Sequence, residues 1–288
     1  MARRLPDWAE DFDVAVADFS AEAQLVGACE GVDAIVHLAA MNAQACAADP
    51  VTALVVNSVG TARLLRAAQW VGVRRFIYVS TGHIYGAPLS GTIDQATLPR
   101  PVHPYAISHR AAEDCVLAAR NQGLVDGLVL RLSNGFGVPA DVGVDAWMLL
   151  VNDLCRQAVI QGALTLATSG VQLRDFITLT DVGRGIEFML GLEDWGDGLF
   201  NIGGEMVLSI YAMAERIARC CDPVLGYTPE IRRPAPSQGE SLEPLAYRID
   251  KLKATGFRLA SPVDEEIDAT LRVCEEAFAP QSSGGHGG

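Results

Sequence analysis

The chain has 288 residues, 50% of them hydrophobic and 20% charged, which is typical of a globular protein with one large domain or a domain and a smaller annex. Its formal net charge of −13 argues against a nucleic-acid partner and against an anionic membrane surface, although local arginines can still bind an anionic metabolite. Seven cysteines without zinc-like spacing indicate reduced thiols, a cytoplasmic protein and no metal site. The N-terminus lacks the apolar run of a signal peptide, and no stretch reaches the ~18 apolar residues of a membrane span.

Short apolar runs alternate with longer helical patterns through the first half of the chain. Strands that are apolar on both faces and alternate with helices favour a parallel sheet covered on both sides, so the predicted fold class is doubly wound α/β. The predicted buried side of the helix over 50–70 comprises Val51, Leu54, Val55, Leu64, Leu65 and Ala68. The predicted strands are VAVADF (14–19), DAIVHLAA (33–40), RFIYVS (75–80) and GLVLRLS (127–133), and the predicted helices span 21–30, 50–70 and 105–122.

The rhythm changes after Asn134, where a loop rich in glycine and proline begins. A helix around 145–160, short strands near LTLAT and RDFITL, a segment GLFNIGG, a helix SIYAMAERIARC and two terminal helices follow. The predicted division is a main domain over 1–134 with returning segments near 174–202, and a small C-terminal substrate lobe over 135–280. The Gly/Ser-rich tail, 281–288, is predicted to be disordered.

Tyr105 and His109, in the stretch PYAISHR, lie four residues apart and therefore share one face of the predicted helix. A tyrosine that transfers protons at neutral pH needs a pKa below its ordinary value near 10. A permanent cation ~4 Å away lowers that pKa by about three units at an effective dielectric of ~20. A histidine with a pKa of ~6.5 carries the charge only about a quarter of the time at pH 7.

Seven short strings follow one another at suitable distances: HLAA (37–40), NSVGT (57–61), VSTGHIYG (79–86), PYAISH (104–109), RLSN (131–134), RDFITLTD (174–181) and FNIGG (200–204). Together they resemble the extended short-chain dehydrogenase/reductase family, the NAD-dependent epimerases and dehydratases that act mainly on nucleotide sugars. The resemblance covers nearly the whole chain from about residue 13. It implies a Rossmann-like sheet, NAD or NADP as cofactor and a nucleotide-sugar substrate.

The resemblance also implies roles for single residues. Thr81 would hydrogen-bond the substrate hydroxyl or carbonyl, and Tyr105 would move the proton while NAD takes or returns hydride. His109 occupies the position of the family lysine, which supports the tyrosine and reaches the nicotinamide ribose. Two interpretations follow: the Tyr105–His109 pair is altered but active, or it is inactive. A third reading makes Tyr105 only the first-turn residue of a packed helix.

Further residues match the cofactor and substrate positions of the family. On the cofactor side these are Asp18, Ala39, Ala40 and Asn57, together with Tyr105 and His109. On the diphosphate side of the substrate they are Asn134, Arg174 and, more loosely, Arg233. Structural alternatives exist: Asp18 as a helix-capping neighbour of Ser20, Asn57 as a buried hydrogen-bonding group, and Arg174 in an ion pair with Asp175 or Asp181. His83, in the loop after Thr81, could face the substrate or simply the surface, and His37 is predicted to be a hydrogen-bonded core residue.

The family begins with a strand, a glycine-rich turn and a helix that hold the dinucleotide pyrophosphate. Neither G-x-x-G-x-x-G nor G-x-G-x-x-G occurs in this sequence. VAVADF resembles the third strand, so the first β-α-β unit, ~30 residues, is expected to be missing and cofactor binding weakened or lost. VAVADF then needs a new neighbour, DAIVHLAA, or leaves an unpaired sheet edge. A truncated gene product and a natural cofactor-independent variant are both open.

Two functions follow. The first is NAD(P)-dependent epimerisation, dehydration or reduction of a nucleotide sugar, with activity that the altered pair could impair. The second is a non-catalytic homologue that binds a nucleotide sugar or a partner without turnover. The resemblance further implies a homodimer through the helices near 51–70 and 105–122.

Overall fold

A computed structural model describes residues 7–237, 240 and 243–279, so the predicted disordered tail lies outside the described residues. The strands are β1 (Ala34–His37), β2 (Arg75–Thr81), β3 (Gly91–Ile93), β4 (Asp126–Leu132), β5 (Asn134–Phe136), β6 (Ala163–Thr165), β7 (Leu173–Thr178), β8 (Leu199–Ile202), β9 (Met206–Ser209), β10 (Glu230–Arg232) and β11 (Leu245–Tyr247). The helices are α1 (Glu22–Cys29), α2 (Ala43–Ala48), α3 (Pro50–Ala53), α4 (Gly60–Val71), α5 (Pro104–Asn121), α6 (Leu150–Gln161), α7 (Leu179–Gly191), α8 (Ile210–Leu225), α9 (Asp250–Ala254) and α10 (Val263–Phe278). A π-helical segment, Leu54–Val59, joins α3 to α4, and 3₁₀ turns occupy Asp7–Asp11, Gly82–Tyr85 and Asp145–Met148.

The central sheet has the order β1-β2-β4-β8 within the described residues, and every pairing in it is parallel. Side chains of α1, α4 and α5 form one apolar cluster with Phe76 and Tyr78 of β2. Side chains of α7 and α9 form another with Ile77. Alternate residues of β2 therefore point to opposite, helix-covered faces, which confirms the predicted α/β class with a parallel sheet.

The predicted strand VAVADF is wrong. Residues 13–18 have no regular secondary structure and belong to no sheet, and Val14 and Val16 are 46% and 82% exposed. A strand needs a hydrogen-bonded neighbour as well as an apolar pattern, and within the described residues β1 pairs only with β2. Contact with the domain comes instead through Phe19, whose ring stacks on His37 and lies against Gly60.

Half of the predicted buried side of the helix over 50–70 is also wrong. Leu64, Leu65 and Ala68 are buried, whereas Val51, Leu54 and Val55 are exposed. The π-helical segment and α5 pack through small and polar residues instead. Asn57 donates from Nδ2 to Ser108 Oγ at 2.9 Å, and the Ser58 hydroxyl donates to the Ser108 carbonyl at 2.8 Å. Small side chains let two helices approach closely, so the bulky residues face outward.

The second half of the chain forms a separate apolar cluster from α6, α8 and α10, with Phe136 and Phe176 at its sheet side. Its strands form small sheets within the described residues, β5-β7-β9 and β10-β6, while β11 pairs with β3. β8 returns to the central sheet beside β4. The loop after β4 and the start of α6 therefore face the carboxyl end of the central sheet.

Candidate active site

The main cleft lies at the carboxyl ends of β2 and β4, where open parallel sheets place their ligand sites. Its cavity has a volume of about 390 Å³. The sheet side contributes polar groups, and the 3₁₀ turn before α6 together with α6 contributes apolar ones. The polar residues of its lining include Ser80, Thr81, His83, Tyr105, Asn134 and Arg174.

Thr81 and Tyr105 both line this cleft. Thr81 is the last residue of β2, and its side chain is buried. Tyr105 is the second residue of α5, and its backbone N–H donates to Nδ1 of His103, which caps the helix, at 3.2 Å. Burial raises the pKa of Tyr105 to about 12, Cys46 adds to the rise, and a hydrogen bond with Thr81 partly offsets it. At neutral pH the phenol therefore keeps its proton and is a proton donor.

His109 is not the part-time cation that the sequence predicts. Its side chain is 3% exposed, and its ring lies 4.4 Å from the ring of Tyr105 between centroids. The Nδ1 atom is 2.6 Å from the hydroxyl oxygen of Tyr78. Burial lowers the pKa of His109 to about 4, so only about one molecule in a thousand is protonated at pH 7. The expectation of a quarter is wrong because it used the pKa of a solvated imidazole.

Three of the predicted cofactor residues, Ala39, Ala40 and Asn57, lie at or beneath the turn after β1. Ala39 and Ala40 are exposed and line a second cavity of about 410 Å³ with Phe19 and Asn42. Asn57 is buried beneath this turn, where its Oδ1 accepts the backbone N–H of Met41 at 2.7 Å.

Asp18 is exposed and accepts the backbone N–H of Ser20 at 2.7 Å, but its predicted alternative as a helix-capping neighbour is wrong, because α1 begins after Ala21 without a side-chain cap. Asp18 does not belong to the lining of the second cavity. Asn57 is the buried hydrogen-bonding group that its structural alternative predicts. Its side chain accepts the backbone N–H of Met41 and donates to the hydroxyl of Ser108. Ala39 and Ala40 are exposed, so the surface of this turn is accessible to a ligand.

Arg174 enters the main cleft without an ion pair among the described residues. Its nearest hydrogen-bond partner is Gln172 Oε1, at 3.5 Å. Asp175 instead accepts the backbone N–H groups of Gly204 and Met206, and Asp181 pairs with Arg184. The predicted alternative of an Arg174 ion pair is therefore wrong, because both carboxylates are engaged elsewhere.

The other two predicted substrate residues differ in position. Asn134 lines the cleft and donates from Nδ2 to the carbonyl of Asp175 at 2.9 Å, which ties β5 to β7. Arg233 does not belong to the lining of the cleft. Its Nη1 donates to the Ser169 carbonyl at 2.7 Å, and its guanidinium lies 3.5 Å from the centre of the Tyr211 ring.

Sequence reasoning missed Tyr78 and Ser80. Tyr78 reaches His109, and Ser80 lines the cleft with a buried hydroxyl that has no hydrogen-bond partner among the described residues. Strand alternation was the available signal, since residues 76, 78 and 80 share the face of β2 that α5 covers. His83, left open by the sequence, lines the cleft, and its ring lies 6.5 Å from that of Tyr105. His37 is the predicted core residue, with Nε2 at 2.9 Å from the Thr61 hydroxyl oxygen.

The described residues include two features that suit the nicotinamide end of a dinucleotide. His109 Nε2 is buried with no hydrogen-bond partner in the described part of the chain, close to Tyr105 and the cleft. An unpaired polar atom and the open Ala39–Ala40 turn suit a nicotinamide ribose. No cluster of three or more potential metal ligands occurs in residues 7–237, 240 and 243–279, and no helix among them is long and apolar enough to cross a membrane.

Comparisons with known proteins show which family the chain resembles in sequence. The sequence model of the NAD dependent epimerase/dehydratase family matches residues 3–203. The dTDP-D-glucose 4,6-dehydratase of Mus musculus is 32% identical over 165 residues, which cover 56% of this chain and 44% of that protein. The chain thus spans about half the length of the curated relatives it matches.

Solved structures give the same picture of the fold. The UDP-glucose 4-epimerase of Thermus thermophilus, in complex with NAD, superposes with a TM-score of 0.73 at 25% identity over 91% of this chain and 84% of that one. RMD of Pseudomonas aeruginosa, complexed with NADPH, superposes with a TM-score of 0.76 at 23% identity over 90% and 87% of the two chains. Because the family model spans most of the chain and the fold agrees, this protein belongs to the NAD-dependent epimerase/dehydratase family.

Proposed function

We propose that the cleft is the site of an NAD- or NADP-dependent oxidoreductase that epimerises, dehydrates or reduces a nucleotide sugar. One observation carries the proposal: Thr81, Tyr105 and Arg174 line the same cavity at the carboxyl end of the sheet. The first two suit proton transfer to a sugar oxygen, and the third suits an anionic group. Relatives in the same family are named as dehydratases of dTDP-glucose and epimerases of UDP-glucose.

Thr81 and Tyr105 would handle the proton. The hydroxyl of Thr81 orients the sugar oxygen, and the phenol of Tyr105 donates a proton to that oxygen or recovers one from it. A bound nicotinamide supplies or accepts the hydride. Ala39, Ala40 and His109 would hold that cofactor, through the open turn and the unpaired Nε2. Because burial raises the pKa of Tyr105 to about 12, the phenol is protonated at neutral pH and holds the proton that reduction of a carbonyl consumes.

Arg174 would bind the diphosphate of the substrate. A guanidinium gives paired, charge-assisted hydrogen bonds to phosphate oxygens, and this one has no competing carboxylate among the described residues. Burial lowers the pKa of Arg174, so an anionic ligand that restores the lost solvation is favoured. Asn134 lies in the same cleft. Arg233 would join them only by leaving the Ser169 carbonyl and the Tyr211 ring.

A second candidate function is binding of a nucleotide sugar without turnover. The neutral His109 favours it, because residue 109 then carries no charge that would promote ionisation of Tyr105. Isothermal titration calorimetry with NAD, NADPH, UDP-glucose and dTDP-glucose separates the two candidates. Cofactor binding with turnover supports the enzyme, and sugar-nucleotide binding without cofactor supports the binding protein. Binding of neither ligand would refute both.

We also propose a homodimer in the cytoplasm. Val51, Leu54, Val55 and Val59 are exposed on the helical region between 50 and 59, and Ile107 is exposed on α5. Exposed apolar side chains grouped on neighbouring helices are typical of an interface between protein chains. All seven cysteines are free, which suits a reducing compartment. Sedimentation velocity tests the dimer, and Val55→Asp should yield a monomer.

A further inference from the structure

The contact between Tyr78 and His109 decides which nitrogen of the imidazole carries a proton. Tyr78 is buried on β2, and its hydroxyl oxygen lies 2.6 Å from Nδ1 of His109. Burial holds the pKa of Tyr78 far above its usual value, so the phenol is neutral throughout the physiological range. A neutral phenol has one proton to donate, and His109 Nδ1 is its only hydrogen-bond partner among the described residues.

Two arrangements of protons are conceivable, and they differ in how many buried groups they leave unpaired. If Tyr78 donates to Nδ1, the imidazole carries its own proton on Nε2, and only that N–H lacks a partner. If Nδ1 donates to Tyr78, the phenol proton has no acceptor within the described residues and Nε2 becomes a second unpaired group. Leaving a buried polar group unsatisfied is unfavourable, so the first arrangement prevails.

We propose that Tyr78 is a positioning residue that locks His109 in the Nε2–H tautomer, and that His109 thereby presents an uncharged hydrogen-bond donor to a hydroxyl oxygen beside Tyr105. The second half of this statement rests on the proposed function, since Nε2 has no hydrogen-bond partner among the described residues and the hydroxyl is therefore that of a bound ligand. The first half concerns the protein alone. His109 then supplies directional hydrogen bonding at the family lysine position without supplying charge.

Within the described part of the chain, the groups that act on Tyr78 and His109 favour the neutral form of both side chains. His37 on β1 and His83 after β2 both act to lower the pKa of His109, in addition to burial. Glu113 and Cys115 on α5, and Tyr105, act on Tyr78 in the direction that keeps its proton. Glu113 is itself held by Arg131 at 2.8 Å. The neutral Nε2–H form therefore persists across neutral pH.

Nuclear magnetic resonance of histidine-¹⁵N-labelled protein, without substrate or cofactor, tests the lock. Two-bond correlations between ring protons and nitrogens distinguish the two tautomers and the imidazolium, and loss of peaks in His109→Gln assigns the ring. The wild type should show the Nε2–H pattern from about pH 6 to about pH 8. In Tyr78→Phe the ratio of the Nε2–H to the Nδ1–H form should fall by about tenfold, since one hydrogen bond is lost.

Tyr247→Phe is the matched control. It removes another buried phenol hydrogen bond, which Tyr247 donates to the Arg131 carbonyl at 2.8 Å, and it should leave the His109 pattern unchanged. An Nδ1–H or imidazolium pattern in the wild type would overturn the proposal even if Tyr78→Phe fails to fold. An unchanged tautomer ratio in folded Tyr78→Phe would overturn it as well.

Addition of NADH tests the donor role of Nε2–H. A shift of the Nε2 resonance is expected, because a hydroxyl of the bound ligand would accept a hydrogen bond from Nε2–H. No shift at saturating NADH contradicts the donor role while leaving the tautomer lock intact. Failure of the proposed function is separate, because it shows as absent ligand binding with the tautomer pattern unaltered.

Discussion

Replacing His109 with lysine should restore a permanent charge beside Tyr105. In the wild type, burial holds the pKa of Tyr105 at about 12 and that of His109 at about 4, so neither group is ionised near pH 7. The two rings lie 4.4 Å apart, close enough for a charge at residue 109 to act directly on the phenol. His109→Lys therefore tests whether the missing charge limits proton transfer.

The expected magnitude follows from Coulomb's law. A unit charge ~4 Å from the phenolate at an effective dielectric of ~20 contributes about 4 kcal/mol, or about three pKa units. The pKa of Tyr105 would then fall from about 12 to ~9, and the ionised fraction at neutral pH would rise by up to ~1000-fold. Burial also lowers the pKa of the new lysine and reduces this gain, so an increase of at least ~10-fold in the oxidative rate is expected.

The assay measures two quantities on the same protein. Difference absorbance of tyrosinate during a pH titration reports the pKa of Tyr105, with Tyr105→Phe as the blank. Formation of NADH from NAD and a nucleotide sugar in a single turnover reports the rate. His109→Gln, which is neutral and similar in size, is the matched control and should show no gain in either quantity.

Two results would refute this reasoning. The first is an unchanged titration of Tyr105 in folded His109→Lys. The second is a lowered pKa without any increase in rate, although NAD binding is demonstrated by fluorescence. The second result would mean that ionisation of the phenol does not limit the reaction.

Three further predictions concern binding and stability. Arg174→Gln should weaken binding of UDP or dTDP by about 10- to 100-fold in calorimetry, because charge-assisted hydrogen bonds contribute ~1.5–3 kcal/mol. Glu113→Gln should lower the free energy of unfolding in urea by about 3 kcal/mol or more, because it leaves buried Arg131 without its partner. His37→Gln should flatten the acid limb of stability, which is the fall in the free energy of unfolding as the pH decreases below neutrality. Burial lowers the pKa of His37 to about 4. The contribution of His37 to the free energy of unfolding is therefore complete above ~pH 6.5 and falls by about 2 kcal/mol at pH ~5, because the unfolded chain binds the proton there.

Each of these has a control and a contradicting outcome. Arg232→Gln removes an exposed arginine paired with Glu230, and equal weakening by both arginine variants would deny Arg174 a specific role. Arg248→Gln breaks an exposed ion pair and should cost at most ~1 kcal/mol, so a similar cost for Glu113→Gln would contradict the burial argument. For His37→Gln, an acid limb as steep as that of the wild type would show that this histidine does not carry the pH dependence.

Local pattern predicted the residues that sit at the ends of regular elements. Thr81 ends a strand and Tyr105 begins a helix, and the carboxyl edge of a parallel sheet brings such positions together. The sequence could not show the charge state of His109, which depends on burial by other elements. Nor could it show the contact with Tyr78, since this joins residues 31 positions apart.

Other errors arose where a pattern needs a neighbour. VAVADF has the composition of a strand but no pairing partner in the described structure. Val51 and Val55 have helical spacing, but the packed face of their helix is formed by small and polar residues such as Asn57. Arg233 lies in a proline-rich loop, where sequence gives no direction for the side chain, and it stacks on a ring outside the cleft.

Single-turnover absorbance of NADH tests the proposed function most directly. Wild-type protein mixed with NAD and either UDP-glucose or dTDP-glucose should produce NADH, and Tyr105→Phe should bind the same sugar nucleotide without producing it. If both ligands saturate the protein and no NADH forms, or if Tyr105→Phe forms it as fast as the wild type, the cleft does not carry out the proposed hydride chemistry.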